Sequence, residues 1–144
     1  MEEKIFVYEG ADVRAQQGRE RVLLGMSGGI DSTYAVVKLR TLGYEPVGAV
    51  LKMSEHTDVA AAKRAADALG VELHVVDMHE AFKKHVVENF VSEYTRARTP
   101  NPCIVCNREV KFRGLCELAK SLGIQKICTG HYARVQKSEE TGRL

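Results

Sequence analysis

Between Arg21 and Leu42 an apolar run, Val22-Leu23-Leu24, stops at Gly25 and passes through Ser27-Gly28-Gly29-Ile30-Asp31-Ser32 into a segment of helical composition. A short apolar run closed by glycine reads as a buried parallel strand, so strand, tight loop and helix follow in that order and restrict the chain to α/β architectures. The order repeats downstream. A helix from about Ser32 to Leu42, with Tyr34, Val37 and Leu39 as its apolar positions, ends at Gly43, and Glu45 to Lys52 reads as a second strand. An alanine-rich helix from Asp58 to Leu69 closes at Gly70 and leads into a third strand, Val71 to Asp77. From Glu80 to about Arg96 the residues Phe82, Val86, Phe90 and Tyr94 stand four apart, which predicts one long amphipathic helix with these four on one face. Thr99 to Cys106 reads as a loop, Arg108 to Leu122 as a helix and Ile124 to Thr129 as a fourth strand. The alternation implies an open, mostly parallel twisted sheet with helices on both faces, a Rossmann-like α/β fold whose ligands bind beyond the carboxyl ends of the strands.

With 144 residues, 44% of them hydrophobic and 28% charged, the chain can bury one core and is expected to form one domain over residues 21–144. The first twenty residues, with the apolar patch Ile5-Phe6-Val7-Tyr8, are an extension to which no role is assigned. No stretch has the length of a membrane span, and the start Met1-Glu2-Glu3-Lys4 lacks the basic-then-apolar order of a secretory signal, so a cytoplasmic location is expected. The net charge of +2 does not by itself announce a nucleic-acid partner. Its distribution is uneven: Arg96, Arg98, Arg108, Lys111 and Arg113 face one acid, Glu109, between residues 96 and 113. Such a stretch attracts a phosphate backbone, though a solvated helix face has the same composition.

The glycine loop carries chemistry through its position. Two glycines let the backbone turn its N–H groups onto an anion, and the helix that follows points its positive end at the same place, which makes a pyrophosphate cradle. Ser27 and Ser32 add hydroxyls, and Asp31 can cap the helix or help hold Mg2+ on the phosphates. The string lacks the Gly-Lys-Ser/Thr ending of a Walker loop and the glycine spacing of a dinucleotide loop. It resembles instead the PP-loop of enzymes that split ATP between its α- and β-phosphates.

Four cysteines in a reducing compartment argue against a disulfide framework. Cys116 and Cys128 fall in apolar patterns and are expected to be small core residues. Cys103 and Cys106 belong to Thr99-Pro100-Asn101-Pro102-Cys103-Ile104-Val105-Cys106-Asn107, where two prolines stiffen the segment. Cys106 is expected just before a helix, where the dipole, Arg108 and Lys111 would favour a thiolate. A Cys-x-x-Cys pair also suits half a zinc site, an iron–sulfur cluster or a redox couple; zinc is disfavoured because no second pair stands at ligand spacing.

Gly-Met-Ser-Gly-Gly-Ile-Asp-Ser (25–32), Arg-Thr-Pro-Asn-Pro-Cys-Ile-Val-Cys-Asn (98–107), Val-Lys-Phe (110–112) and Thr-Gly-His-Tyr-Ala-Arg (129–134) together resemble the motifs of the tRNA-specific 2-thiouridylase family, in that family's order. The resemblance implies a PP-loop fold and an enzyme that uses ATP to adenylate the C2 oxygen of a tRNA wobble uridine, then replaces that oxygen with sulfur from a persulfide donor protein. It implies ATP contacts at Gly25, Met26, Ser27, Gly28, Gly29, Ile30, Asp31 and Ser32, at Leu51 beside the adenine, and at Gly130. It implies Cys106 as nucleophile, Asp31 as a catalytic group, and Asn101, Pro102, Cys103, Lys111 and His131 on the substrate side, with His131 either an acid or a loop-orienting group. Tyr132 is expected to pack. The chain departs from the family pattern in Ala97, where glycine is usual, in Met53-Ser54-Glu55-His56 after the second strand, and in Ala61. The family's second cysteine and tRNA-gripping domains lie downstream of the motifs, so this chain is expected to be a truncated activating half. Competing readings are another PP-loop ligase or sulfurtransferase, a cluster-bearing thiolase, and a module that binds an adenine nucleotide without consuming it.

Overall fold

The computed structural model describes residues 5–8 and 18–131. Five strands form one sheet in the order β1-β4-β3-β2-β5: β1 (Ile5–Tyr8), β2 (Arg21–Gly25), β3 (Glu45–Lys52), β4 (Leu73–Asp77) and β5 (Lys126–Cys128). β2, β3, β4 and β5 run parallel, with Leu23 opposite both Val47 of β3 and Ile127 of β5. The segment given no role in the sequence, Ile5–Tyr8, adds an antiparallel edge strand, Ile5 opposite Val76 and Tyr8 opposite Leu73.

Because side chains alternate across a strand, β2 feeds two cores. Leu23 joins Val47, Val76, Val86, Val110, Leu115 and Leu118 on one face. Val22 and Leu24 join Val36, Leu39, Val50, Ala62, Ala66 and Leu73 on the other. Helices α1 (Ile30–Thr41) and α2 (Val59–Leu69) cover that second face. The buried positions of α1 are Ser32, Val36 and Leu39, while Tyr34 and Val37 are exposed. Leu39 alone of the three expected apolar positions faces the core, since Tyr34 and Val37 lie about one turn apart on the opposite side.

Two helices with π turns cover the first face. The helix over 79–95, here α3, is α-helical at His79–Phe82, widens into a π turn at Lys83–Val87 and returns to α at Glu88–Thr95. A π turn inserts a residue into the 3.6-residue repeat and rotates everything after it. Val86 is therefore buried, whereas Phe90 and Tyr94, expected on the same face, stand in solvent and pack edge to face at 4.8 Å.

The helix over 102–121, here α4, corrects a second expectation. It begins at Pro102, not near Arg108, with α-helical Pro102–Cys106, a π turn at Asn107–Phe112 and α-helical Arg113–Ser121. Proline suits the first helical position because its missing N–H has no partner there, and the Asn101 side chain accepts the Ile104 N–H at 3.3 Å. Pro102 thus starts a helix and does not stiffen a loop. Cys116 on this helix is exposed, so it is not the core residue that its apolar neighbours suggested; Cys128 is half-buried.

Ala97, which follows α3, has φ of +55°. That left-handed conformation explains why glycine suits the position, since a Cβ costs about 1 kcal/mol there. Ala97→Gly is expected to raise stability by roughly 0.5 kcal/mol once the greater freedom of the unfolded chain is deducted. Urea denaturation checks it, and a loss of stability would contradict the strained assignment.

Candidate active site

Connections on either side of β2 leave in opposite directions, to β3 through α1 and to β5 at the far side of the chain's path, so the sheet's switch point lies between β2 and β5. A cavity of about 400 Å3 opens there, at the carboxyl ends of β2, β3 and β5. Gly25, Met26 and Ser27 contribute from β2, Leu51 and Met53 from β3, Thr129, Gly130 and His131 from β5, Asp31 and Ser32 from α1, and Lys111 from α4.

Nine of the residues named from sequence therefore border one space: Gly25, Met26, Ser27, Asp31, Ser32, Leu51, Gly130, Lys111 and His131. The remaining seven are elsewhere. Gly28 turns with φ of +80°, and a Cβ on it would meet the α2 backbone at 2.5 Å from the Ala61 carbonyl carbon. Its role is close approach of loop to helix, and alanine at 61 is part of that contact. Gly29 is the residue from which α1 departs, and it makes no side-chain cap. Asp31 therefore lies in the first helical turn and is not the cap. Ile30 is 88% exposed and points away from the core. Ser32 Oγ donates to the Gly29 carbonyl at 3.0 Å and lies 3.4 Å from Ser27 Oγ, so the two hydroxyls brace the turn.

Asn101, Pro102, Cys103 and Cys106 lie at the start of α4, outside the cavity wall. Cys103 is exposed in the first turn, whereas Cys106 is buried with its Sγ 3.7 Å from Met53 Sδ. The expectation that Cys106 precedes a helix fails, and with it the helix-dipole argument for its thiolate. Burial pushes the Cys106 thiol above the ordinary thiol range, while the Lys111 ammonium opposes that shift and the neighbouring Cys103 adds to it. In this arrangement Cys106 is protonated at neutral pH. His131 is exposed, stacks on Phe112 at 5.8 Å and shares a 2.9 Å hydrogen bond between its Nδ1 and Thr129 Oγ1. Tyr132, Ala133 and Arg134 of the last motif lie outside the described residues, as does the hairpin strand expected near the end of the chain.

The sequence reading missed Thr57 and Asp58, which also line the cavity. Thr57 Oγ1 accepts the N–H groups of Met53 and Ser54, each at 3.2 Å, and Asp58 caps α2 by accepting the Ala61 N–H at 2.8 Å. An aspartate three residues before an alanine-rich helix turn is a readable cap, but nothing in one sequence says that the cap faces a cavity. Charge is also redistributed: Arg98 pairs with Glu93, Arg108 with Glu109 and Arg113 with Glu117. Three of the five basic residues between 96 and 113 thus have a carboxylate partner, two of them from outside that stretch.

Fold and site define the class first: an α/β, Rossmann-like domain with its ligand cavity at the switch point of a mostly parallel sheet. The chain belongs to the family of the tRNA methyl transferase HUP domain, whose model matches residues 20–144. Among curated proteins it is 36% identical to the tRNA-specific 2-thiouridylase MnmA of Clostridioides difficile, over 86% of this chain and 38% of the relative. It is 40% identical to the protein of that name from Acidothermus cellulolyticus, over 83% of this chain and 37% of the relative. The chain thus spans less than two-fifths of the length of these relatives. A solved structure, of a predicted subunit of tRNA methyltransferase from Methanocaldococcus jannaschii, shares the fold with a TM-score of 0.53 at 17% identity, over 87% of this chain and 57% of that one.

Proposed function

We propose that this chain is the ATP-activating part of a tRNA 2-thiouridylase, which adenylates the C2 oxygen of a wobble uridine and then exchanges that oxygen for sulfur. The observation that carries the reading is the cavity at the switch point, bordered by the PP-loop residues Gly25, Met26, Ser27, Asp31 and Ser32 and by Lys111 and His131 from the other motifs. Those three motifs are separate in sequence, and a nucleotide held at one of them would touch the other two.

In this reading the backbone at the start of α1 binds the phosphates, since the first N–H groups of a helix have no partner within it. Leu51 meets the adenine. Lys111 faces the developing negative charge, and its ammonium also favours the Cys106 thiolate. The donor set fits Mg2+, because two carboxylates, Asp31 and Asp58, border the space and a magnesium ion on a nucleotide commonly takes one or two carboxylates beside phosphate oxygens. When bound, the ion would neutralise charge on the phosphates. Cys106 is the nucleophile, and a separate persulfide protein supplies sulfur. Among the described residues no three metal-ligating side chains come together, so a cluster held by Cys103 and Cys106 would need further ligands.

The test is pyrophosphate release from ATP in the presence of unmodified tRNA, with the chain joined to the remaining length of a 2-thiouridylase relative. Release that depends on tRNA is expected. ATP binding with no release on any tRNA would favour a nucleotide-binding module instead.

A further inference from the structure

Met53 links the cavity to Cys106. It borders the cavity, and its Sδ rests 3.7 Å from the Cys106 Sγ. The cysteine itself is 8% exposed and belongs to the core cluster with Val86 and Val110, against which Met53 packs partly buried. Beneath Met53 the backbone is held, because Thr57 Oγ1 accepts both the Met53 and the Ser54 N–H at 3.2 Å. Beyond that anchor the side chain is an unbranched thioether with three rotatable bonds, the kind best suited to filling a gap and leaving it. Thr57 also borders the cavity, so an occupant there would touch the residue that anchors Met53.

We propose that Met53 is the gate between the nucleotide cavity and Cys106: its side chain shuts the thiol away, and a change of its rotamer opens the passage through which Cys106 reaches an activated substrate. The proposal rests on the reading of the cavity as the nucleotide site and of Cys106 as the nucleophile. It makes Met53 a positioning residue. A closed gate keeps the thiol dry and protonated, which protects it from oxidation between turnovers, and an open one admits water and the field of Lys111, both of which favour the thiolate. The exposed Cys103 is not protected in this way, so the two cysteines of one motif differ in access although they are three residues apart.

Iodoacetamide labelling of the folded chain, followed at each cysteine by peptide mass spectrometry, tests the gate without nucleotide or tRNA. In the unaltered chain Cys103 and Cys116 are expected to react quickly and Cys106 slowly. Met53→Ala is expected to raise the Cys106 rate at least tenfold while the half-buried Cys128 keeps its own rate, and Met53→Leu is expected to leave both unchanged. An unchanged Cys106 rate in Met53→Ala overturns the proposal. A parallel rise at Cys128 overturns it too, because it signals general loosening. Where the alanine variant loses its helical circular dichroism, the ratio of Cys106 to Cys128 labelling in Met53→Val decides by the same criterion. Failure of ATP to bind in calorimetry would strike the nucleotide reading alone, since the labelling contains no ATP.

Discussion

Cys106→Ser, in a chain joined to the remaining length of a 2-thiouridylase relative, is expected to lower 2-thiouridine formation by at least about a thousandfold, as loss of an activated nucleophile does elsewhere. A serine hydroxyl is far less acidic and far less nucleophilic than a thiol, so no comparable route through the same atom survives. The fold should survive, because the two side chains differ little in size, although a hydroxyl at a site 8% exposed needs a partner and costs about 1 to 3 kcal/mol without one. Cys103→Ser is the discriminating control. Cys103 is exposed and lies in the first turn of α4, so on access alone it is the more obvious nucleophile. Loss of product in Cys103→Ser with retention in Cys106→Ser, measured by mass spectrometry of digested tRNA, would reverse the assignment. Cys116→Ala should leave both product and stability within experimental scatter, the residue being on the surface.

The α/β order was legible because each strand is an apolar run bounded by glycine or polar residues, and the glycine loop stood out by following the first of them. Faces of helices were less legible. Phe82, Val86, Phe90 and Tyr94 keep an i, i+4 spacing that describes one face only in a regular α-helix, and the π turn at Lys83–Val87 breaks that condition. Nothing in the local composition of Lys83-Lys84-His85-Val86-Val87 distinguishes a π turn from an α one. Pro102 illustrates another ambiguity, since a proline both ends helices and begins them, and only the cap made by Asn101 decides which. The misreading mattered for the site: it placed Cys106 at a positive helix end, whereas it sits a turn inside the helix with its thiol raised by burial. Residues that border the cavity by tertiary approach, Met53, Thr57 and Asp58, carry no motif of their own and become visible only when β3 is set beside β2.

Gly28→Val and Asp31→Asn are both expected to weaken ATP binding, for different reasons, and the difference is measurable. At Gly28 the backbone has φ of +80°, and a Cβ would lie 2.5 Å from the Ala61 carbonyl carbon, 2.7 Å from the Ala62 nitrogen and 2.8 Å from the Ala61 Cβ. Two are atoms of a helix backbone and the third is a Cβ fixed to it, so none can step aside as the far end of a flexible side chain can. Left-handed strain on a β-branched residue costs about 1 to 2 kcal/mol, and overpacking adds roughly 1 to 3 kcal/mol. The sum, about 3 kcal/mol, corresponds to a fall in melting temperature of roughly 9 °C for a chain of this size. The loop must move off α2 to accommodate the valine, and the cavity wall formed by Ser27 and Asp31 moves with it. Asp31→Asn keeps the shape of the exposed first turn of α1, so stability should change by less than at Gly28, by about 1 kcal/mol or less. On the proposed reading its effect falls on the ligand: without that carboxylate a magnesium-bound nucleotide would lose one anchor, and affinity should fall by about tenfold or more. Calorimetric titration with ATP and magnesium, run beside thermal denaturation of the same samples, separates the two. If Asp31→Asn bound ATP as tightly as the unaltered chain, the aspartate would be a structural feature of the helix start and the nucleotide would have to lie elsewhere on the sheet.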